Sequence, residues 1–304
     1  MEMKHIFILN PVAGNGYAEK NLLPQIITYL KTTDLDYEIH RSLNKEEIGT
    51  YVRQRASAGD EVRFYAIGGD GTLCDVVNGA IGFDNAEVAV IPCGTGNDFV
   101  RNFTGRENFL DIQKQLAGRA EAIDVIKLND AYSINMLNIG ADCEVVARAA
   151  QIKSKSGSWS YIRGALEILP KGPRYRMAYS FSGAEEKEED LLLIAIANGH
   201  FCGGGFKSSP KASLTDGNLD ILFARPVKGL KLIKLLAKYH AGTHLDDPSA
   251  ADIITHIKTK SFRLRAIDKV SISVDGEVSP FTEAEITVAP KAIKFVIPEG
   301  SEKL

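Results

Sequence analysis

Three glycine-rich loops recur early in the chain, and each follows a short apolar segment. They cover residues 10–16 (NPVAGNG), 68–72 (GGDGT) and 92–98 (PCGTGND). The segments before these loops have strand-like spacing, and those after the first and second have helical spacing. This alternation predicts a doubly wound α/β domain, in which ligands bind at the carboxyl ends of parallel strands. We therefore expect the three loops to meet at one edge of a sheet.

The pattern changes near residue 123, which we take as a domain boundary that separates residues 1–123 from 124–304. The second half favours a β-sandwich or barrel with added helices. Its last strand, 293–297, could pack on either domain. The expected strands are 4–9, 37–40, 63–67, 87–91, 124–128, 131–138, 174–182, 191–197, 219–224, 262–266, 269–274 and 293–297. The expected helices run to about residue 31 and over 46–58, from 72 onward, and over 141–151, 161–169 and 230–239.

Composition excludes several classes of protein. The formal net charge is -3, whereas a nucleic-acid-binding protein is usually basic, so we expect no nucleic-acid partner. No apolar run approaches the roughly 20 residues that span a bilayer. The first ten residues alternate like a strand and do not resemble a signal peptide. The four cysteines are far apart and contain no C-x-x-C, which indicates reduced thiols in the cytoplasm.

The GGDGT loop has the composition of a phosphate site. Glycines allow close backbone approach, and the N–H groups at a helix start attract anions. Because a carboxylate does not bind phosphate directly, Asp70 suggests a bridging Mg²⁺. A tight turn with Asp70 near the helix start is the structural alternative. In the third loop Thr95 offers a hydroxyl, and Asn97 or Asp98 could cap a following helix.

Two familiar nucleotide motifs do not fit the first loop. It lacks the Gly-Lys-Ser/Thr of a Walker A loop. It also has Glu19 where a dinucleotide fingerprint requires glycine, although acidic residues follow about 20 positions on. Residues 10–16 therefore do not indicate a Walker A loop, and a dinucleotide site is disfavoured because the helix cannot pack as closely without the third glycine.

Four features of the second half have competing interpretations. Asp216-Gly217 is a hairpin turn or part of a hard-cation loop with Ser213 and Asn218. Glu277, after another Asp-Gly pair, is a surface residue or a general base. The three glycines 203–205 indicate a close approach or a mobile loop. His240 and His244 have metal-compatible spacing, but they lack the metalloprotease glutamate and are expected on the surface or in packing.

Charged segments bear on partners. Residues 148–176 combine basic side chains with Trp159 and Tyr161, a composition typical of contact with anionic headgroups, and Lys153 and Lys155 are the test positions. Lysines near 230–239 fit the solvated side of a core-packing helix. The acidic run 185–190 is expected to form a hairpin tip that points away from any membrane.

Together these motifs resemble the bacterial diacylglycerol kinase and lipid kinase family, related to sphingosine kinases and NAD kinases. GGDGT is shared with NAD kinases and phosphofructokinase-like proteins. The narrower resemblance comes from GTGNDF, from NGHFCGGGFKSSPKASLTDGNLD (198–220) and from VDGE (274–277). It implies an α/β ATP-binding domain followed by a β-sandwich, with the active site in the cleft between them. It also implies ATP and Mg²⁺ as cofactors, and transfer of the γ-phosphate to a lipid hydroxyl.

The resemblance assigns roles to individual residues. Glu277 is implied as the general base and Asp70 as a ligand of the catalytic Mg²⁺. A structural magnesium site is implied at Ser213, Asp216 and Asn218, with a side-chain ligand from Asp216 alone. At two positions the sequence departs from the family pattern, and the resemblance implies Asp75 and Ser42 as replacements for the usual ATP contacts. The expected nucleotide-binding residues are Asn10, Pro11, Val12, Ala13, Gly14, Ser42, Gly68, Gly69, Asp70, Gly71, Thr72, Asp75, Thr95, Asn97 and Asp98.

Several alternatives stay open at this level. The acceptor could be diacylglycerol, phosphatidylglycerol, a polyprenol or a sphingoid base. An NAD kinase-like phosphotransferase and a non-catalytic sensor of nucleotide or lipid are the competing functions. The expected location is the cytoplasm, with peripheral association at the inner face of the membrane, and a homodimer is an open alternative.

Overall fold

The computed structural model of the chain describes residues 3–152, 157–181 and 184–304. It divides the chain into two compact units. Unit 1 holds residues 1–123 together with 291–304, and unit 2 holds residues 124–290. The C-terminal segment therefore returns to the first unit.

Unit 1 alternates strands and helices around a parallel sheet. The sheet order is β2-β1-β3-β4 followed by the end of β14, and every neighbouring pair is parallel. β2 is added on one side of β1, and β3 and β4 are then added on the other side. The boundary between β1 and β3 is therefore a topological switch point. Its elements are β1 (Lys4–Leu9), α1 (Leu23–Leu30), β2 (Tyr37–Arg41), α2 (Lys45–Ala56), β3 (Val62–Gly68), α3 (Asp70–Ala80), β4 (Ala86–Pro92) and α4 (Ile112–Leu116).

The core of unit 1 follows from the apolar strands. β3 is buried along its whole length, and Phe7 stacks on Tyr65 with ring centroids 4.3 Å apart. Helices α2 and α3 approach closely at Gly79, where a Cβ atom would lie 2.6 Å from the carbonyl oxygen of Gly49. This packing holds the C-terminal end of α3 against α2.

Unit 2 is built from antiparallel strands with three helices. β5 (Arg119–Leu128) enters it from unit 1, and β14 leaves it for unit 1. The other elements are β6 (Ala131–Ser133), β7 (Met136–Gly140), α5 (Ala141–Gln151), α6 (Gly157–Ile168), β8 (Tyr175–Phe181), β9 (Lys187–Leu191), β10 (Leu193–Ala197), β11 (Leu219–Ala224), α7 (Gly229–Ala241), β12 (Ile254–Thr259), β13 (Ser261–Val274) and β14 (Glu277–Ile297).

The long strand β13 pairs with different neighbours along its length, so the strands of unit 2 belong to one continuous sheet. The first part of β13 pairs with β8, and its last residues pair with β7. The register shifts between Arg265 and Val270, where the strand bends. Tyr179, Phe223 and Phe262 pack together in the core of unit 2, and the rings of Tyr179 and Phe223 lie 4.7 Å apart. The predicted α/β-plus-sandwich fold is confirmed.

Some predicted elements were wrong in detail. The single strand predicted over 131–138 is two strands, β6 and β7, because residues 134–136 donate their N–H groups to the Asp275 carboxylate. The two strands predicted over 262–266 and 269–274 are one bulged strand, β13. The pattern also missed β9, β12 and most of β14.

The acidic run 185–190 is not simply a hairpin tip. Its later residues lie in β9, where their carboxylates pair with arginines. Arg176 contacts both Glu188 and Asp190 at 3.4 Å, and Arg225 lies 2.5 Å from Glu189. These acids therefore connect neighbouring strands.

Candidate functional site

The loop after β1 is attached to the first turn of α3 through Asn10. The Asn10 Nδ2 group donates to Thr72 Oγ1 at 3.1 Å, and its Oδ1 accepts from the Val12 backbone N–H at 3.2 Å. The backbone N–H of Asn10 donates to Ile67 of β3. One side chain thus shapes its own loop and connects it to the GGDGT segment.

Glycines allow the three loops of unit 1 to touch through their backbones. Gly14 has a φ of +59°, and a Cβ atom there would lie 2.5 Å from the carbonyl oxygen of Cys93. A Cβ atom at Gly94 would lie 2.6 Å from the Cα atom of Gly69. A larger residue at these positions would force the loops apart, so these glycines are required by the close approach.

Asp70 connects the second loop to the third. Helix α3 begins at this residue, and its carboxylate accepts hydrogen bonds from the backbone N–H groups of Asp98 and Phe99, both at 3.0 Å. The expectation that Asn97 or Asp98 caps the following helix was wrong. The short 3-10 helix Phe99–Asn102 has no such side-chain cap at Asp98, because the distant Asp70 fills that role.

Asn97 instead closes the third loop on itself. Its Oδ1 accepts from the Gly94 N–H at 2.9 Å, and its Nδ2 donates to the Gly94 carbonyl at 2.8 Å. Arg101 holds the other side of the loop by donating to the Gly96 carbonyl at 3.3 Å, and its Nε lies 3.3 Å from Asp98. Thr95 is left exposed at the tip.

This arrangement suits a polyphosphate. The N–H groups of Gly71 and Thr72 lie in the first turn of α3, where a helix has no internal acceptors for them and attracts anions. A carboxylate oxygen can accept more than one interaction, so Asp70 can hold the third loop and still approach a cation that accompanies the phosphates. Burial raises the pKa of the nearby Cys93 thiol to about 11, so this cysteine is a neutral neighbour.

The remaining predicted contacts of unit 1 are less direct. Pro11 and Ala13 are half-buried in the first loop, and Val12 is exposed. The Ser42 hydroxyl is buried and donates to the Leu9 carbonyl at 3.2 Å, so it joins β2 to β1. Asp75 lies half-buried in the second turn of α3.

The predicted magnesium loop of unit 2 has a lysine in contact with its carboxylate. Asp216 accepts from the Asn218 N–H at 3.0 Å, and its other oxygen lies 2.7 Å from Lys258 Nζ. The Ser213 hydroxyl accepts weakly from Thr215 at 3.4 Å. Because Lys258 already supplies a positive charge, this donor set does not fit Mg²⁺ as it stands. Within residues 3–152, 157–181 and 184–304, no cluster of three His, Cys, Asp or Glu side chains could hold a metal ion.

The Asp216-Gly217 pair is not a two-residue hairpin turn, because β10 ends at Ala197, well before β11 begins. The Gly217 N–H donates to the buried Asp124 carboxylate at 2.7 Å. The Asp275-Gly276 pair does form such a turn. Both residues have positive φ, 47° and 94°, and the turn joins β13 directly to β14.

Asp275 anchors the turn that presents Glu277. Its carboxylate accepts from the Ser133 hydroxyl at 2.7 Å and from the backbone N–H groups of residues 134–136 at 2.9–3.1 Å. Glu277 follows as the first residue of β14 and is exposed to solvent. Sequence reasoning missed this role of Asp275, although an Asp-Gly pair between alternating segments signals such a turn.

Unit 2 also contains an apolar pocket. It is an open, largely apolar depression lined by residues of α5, α6, α7 and the neighbouring strands. Polar groups enter only from Asp142 and two tyrosines, and the Tyr161 hydroxyl donates to Asp142. Burial raises the pKa of Tyr239 well above its usual value. The lining is Asp142, Val145, Tyr161, Ala165, Leu169, Leu192, Leu193, Leu222, Ala224, Leu232, Leu235, Leu236, Tyr239 and Ile254.

The triple-glycine loop packs beside this pocket. Gly203, with a φ of +60°, lies against the Tyr161 ring, where a Cβ atom would be 2.7 Å from the ring. Close approach is therefore the reason for at least one of the three glycines. His240 is exposed at the end of α7 with its ring on Phe206, and His244 is buried against Tyr239.

The parallel sheet with glycine loops at its carboxyl edge, joined in sequence to a β-sandwich, matches two family models. The model of the diacylglycerol kinase catalytic domain matches residues 4–128. The model of the YegS C-terminal NAD kinase beta sandwich-like domain matches residues 135–297, more than half of the chain. The protein belongs to the diacylglycerol kinase and lipid kinase family.

Individual relatives cover most of the chain. A Staphylococcus epidermidis protein, provisionally named a lipid kinase, is 30% identical over 84% of both chains. The Bacillus subtilis diacylglycerol kinase is 27% identical and covers 98% of this chain and 97% of its own. A crystal structure of a Bacillus anthracis protein, provisionally titled a diacylglycerol kinase, superposes with a TM-score of 0.74 at 23% identity, covering 97% of both chains. That last similarity shows the shared fold.

Proposed function

We propose that this protein transfers the γ-phosphate of ATP, bound with Mg²⁺, to the hydroxyl of a membrane lipid, with diacylglycerol as the primary acceptor and phosphatidylglycerol as the second candidate. The family supports a lipid kinase. The convergence of the loops after β1, β3 and β4 in unit 1, held by Asn10 and Asp70, supports the nucleotide site.

The observation that carries the acceptor class is the apolar pocket of unit 2. The pocket lies beside the start of β10, which pairs with the Gly140 end of β7. The turn before Glu277 is anchored at Met136, the opposite end of β7. Four residue steps along a strand span roughly 13 Å. A long acyl chain can bridge that separation from its hydroxyl, and a dinucleotide would leave the apolar lining unused.

The proposed chemistry is a direct phosphoryl transfer. Glu277 accepts the proton of the lipid hydroxyl while the oxygen of that hydroxyl forms a bond to the γ-phosphorus. The bond between the γ-phosphorus and the β–γ bridging oxygen breaks. ADP leaves with the bridging oxygen. The N–H groups at the start of α3 stabilise charge on the phosphate oxygens, and the metal that accompanies ATP supplies further neutralisation. Asp70, whose carboxylate keeps the third loop in place, is the residue that would hold that metal.

The test is transfer of label from γ-labelled ATP into the organic phase of a mixed-lipid extract. Wild type is compared with Glu277→Gln, which keeps the size of an exposed side chain and removes its basicity. We expect one labelled lipid in the wild type and a loss of about 10²–10⁴-fold in the variant, the usual contribution of a general base. Label transferred to NAD but to no lipid would reject the proposal in favour of an NAD kinase. ATP binding without any transfer would indicate a sensor.

A further inference from the structure

We propose that the outer faces of α6 and α7 form the surface by which this protein docks on an anionic lipid bilayer, an inference that rests on the proposed function. The sequence alone assigned docking to residues 148–176 and treated α7 as a core-packing helix. Of the test positions named for that segment, Lys153 and Lys155 lie outside the described residues. Helix α7, by contrast, is described in full and exposes apolar side chains.

Helix α7 is apolar on two sides. Its inner side contributes Leu232, Leu235, Leu236 and Tyr239 to the pocket. Its outer side exposes Leu230 and Ile233, whose side chains are 76% and 56% accessible. A helix that only covers a core has no need of the second apolar stripe.

A row of lysines lies beside the outer stripe. Lys231, Lys234 and Lys238 repeat with the same spacing as Leu230, Ile233 and Ala237, about one residue further around the helix. Lys238 pairs with Asp247 at 2.6 Å. Lys231 and Lys234 are exposed, and no ion pair joins either to another residue of the described ranges. Apolar side chains bordered by lysines match the boundary between acyl chains and anionic headgroups.

Helix α6 extends this surface. Trp159 and Leu166 are 59% and 53% accessible on its outer side. The two helices border the same pocket, α6 through Tyr161 and Ala165. Where α6 ends, Gly172 lies against the side chain of Lys228 at the start of α7. Phe206 contacts both Tyr161 near the start of α6 and Tyr239 near the end of α7. The helices therefore run in opposite directions beside the pocket.

The charge of the surface selects the occupant. The chain as a whole is acidic, yet this face exposes lysines around apolar side chains. A bilayer that contains phosphatidylglycerol supplies negative headgroups and an apolar interior, and it is also where the proposed acceptor resides. Docking here would place the bilayer against the two helices that border the acyl pocket.

The first test compares binding of the purified chain to vesicles of phosphatidylglycerol and phosphatidylcholine. We expect Lys231→Gln/Lys234→Gln to weaken binding at least tenfold, because each lysine contributes about fivefold near such a surface. We expect a loss of at least tenfold from Leu230→Ser/Ile233→Ser as well, because binding strength scales with the apolar area that enters the bilayer. Matched controls are Ile267→Ser and Lys260→Gln/Lys269→Gln, which alter exposed residues elsewhere in unit 2. Added salt should weaken wild-type binding and leave the lysine variant less affected.

The chain offers its own probe, because Trp159 is its only tryptophan. Saturating vesicles should shift its emission to shorter wavelength. No shift would overturn the inclusion of α6 in the surface. Equal vesicle binding by wild type and both double variants would overturn the α7 proposal. Conversion of a dimer to a monomer by the Leu230/Ile233 change, with vesicle binding intact, would also overturn it and assign the face to a second copy.

Turnover of a short-chain, dissolved diacylglycerol separates docking from catalysis. We expect both double variants to keep that activity and to lose activity on vesicles. If wild type phosphorylates no lipid in either form but shows the predicted vesicle binding, the docking surface stands and the proposed function fails. If the variants phosphorylate lipid in vesicles as wild type does and bind the vesicles equally, the proposed function stands and the docking surface fails.

Discussion

The carboxylate of Asp70 accepts a hydrogen bond from the backbone N–H of Phe99 at 3.0 Å. This bond joins the start of α3 to the 3-10 helix that follows β4. Together with the bond from the Asp98 N–H, it makes one acidic side chain the connection between two glycine-rich loops. The same residue thus starts one helix and holds the loop that precedes the next one.

Asp70→Asn should weaken both stability and nucleotide binding. The amide loses the charge that strengthens two backbone hydrogen bonds, each worth roughly 1.5–3 kcal/mol when charged. We expect a loss of about 1.5–3 kcal/mol in urea unfolding and a lower ATP affinity by calorimetry. The control Asp84→Asn alters an exposed acid of unit 1 and should stay within about 0.5 kcal/mol. Equal unfolding curves for Asp70→Asn and wild type would contradict the role.

Gly14→Ala should disrupt the nucleotide site, because the new Cβ would meet the Cys93 carbonyl oxygen 2.5 Å away. Gly82→Ala is its control, since Gly82 also has a positive φ but nothing lies within 4 Å of its Cβ position. The control should cost about 1–2 kcal/mol from backbone strain alone. Gly14→Ala should cost more and lower ATP affinity at least tenfold. If Gly14→Ala and Gly82→Ala had similar effects on stability and ATP affinity, the close contact between the first and third loops would not matter for the nucleotide site.

Acid should destabilise unit 1 through His5. Burial lowers the pKa of this histidine from 6.5 to about 4, and its Nδ1 lies 2.8 Å from the Tyr65 hydroxyl. Because the unfolded chain binds the proton more readily, stability falls as pH falls from about 6.5 to 4 and levels off below. The loss at pH 5 is about 2 kcal/mol. Urea unfolding of His5→Gln at pH 7.5 and 5 should show a smaller pH-dependent loss than wild type; an unchanged difference would refute this.

Lys258 should compete with Mg²⁺ for Asp216. Removing the ammonium in Lys258→Met frees a carboxylate oxygen that lies 2.7 Å from it. We expect this variant to gain stabilisation by millimolar Mg²⁺ in thermal unfolding, and Lys258→Met/Asp216→Asn to lose that gain. A wild type that Mg²⁺ already stabilises, with no change in Lys258→Met, would show that the lysine does not occupy the cation position.

Filling the apolar pocket should discriminate between acceptors. Leu235→Trp adds bulk to the α7 wall of the pocket. We expect the KM for long-chain diacylglycerol to rise at least fivefold, with little change for a short-chain analogue or for ATP. Leu110→Trp, at an exposed position in unit 1, is the matched control. An equal rise for both chain lengths would contradict an acyl-chain role.

The spacing of apolar residues along the sequence was sufficient to predict the repeated strand–loop–helix segments of unit 1. Strand–loop–helix spacing located β1, β3 and β4 and the loops that follow them, and α5 has the predicted bounds. The pattern failed where distant residues decide the structure. The Asp275 carboxylate splits a predicted strand in two by binding residues 134–136, and the Asp70 carboxylate replaces the expected cap at Asp98. The pairing of Lys258 with Asp216 spans 42 positions, which spacing does not reveal.

The most direct measurement supplies the purified chain with γ-labelled ATP and Mg²⁺ and offers long-chain diacylglycerol, phosphatidylglycerol and NAD in parallel reactions. The account predicts label in a lipid, highest in diacylglycerol, none in NAD, and loss of the lipid label in Glu277→Gln. Label in NAD alone, or lipid label that persists undiminished in Glu277→Gln, would contradict it.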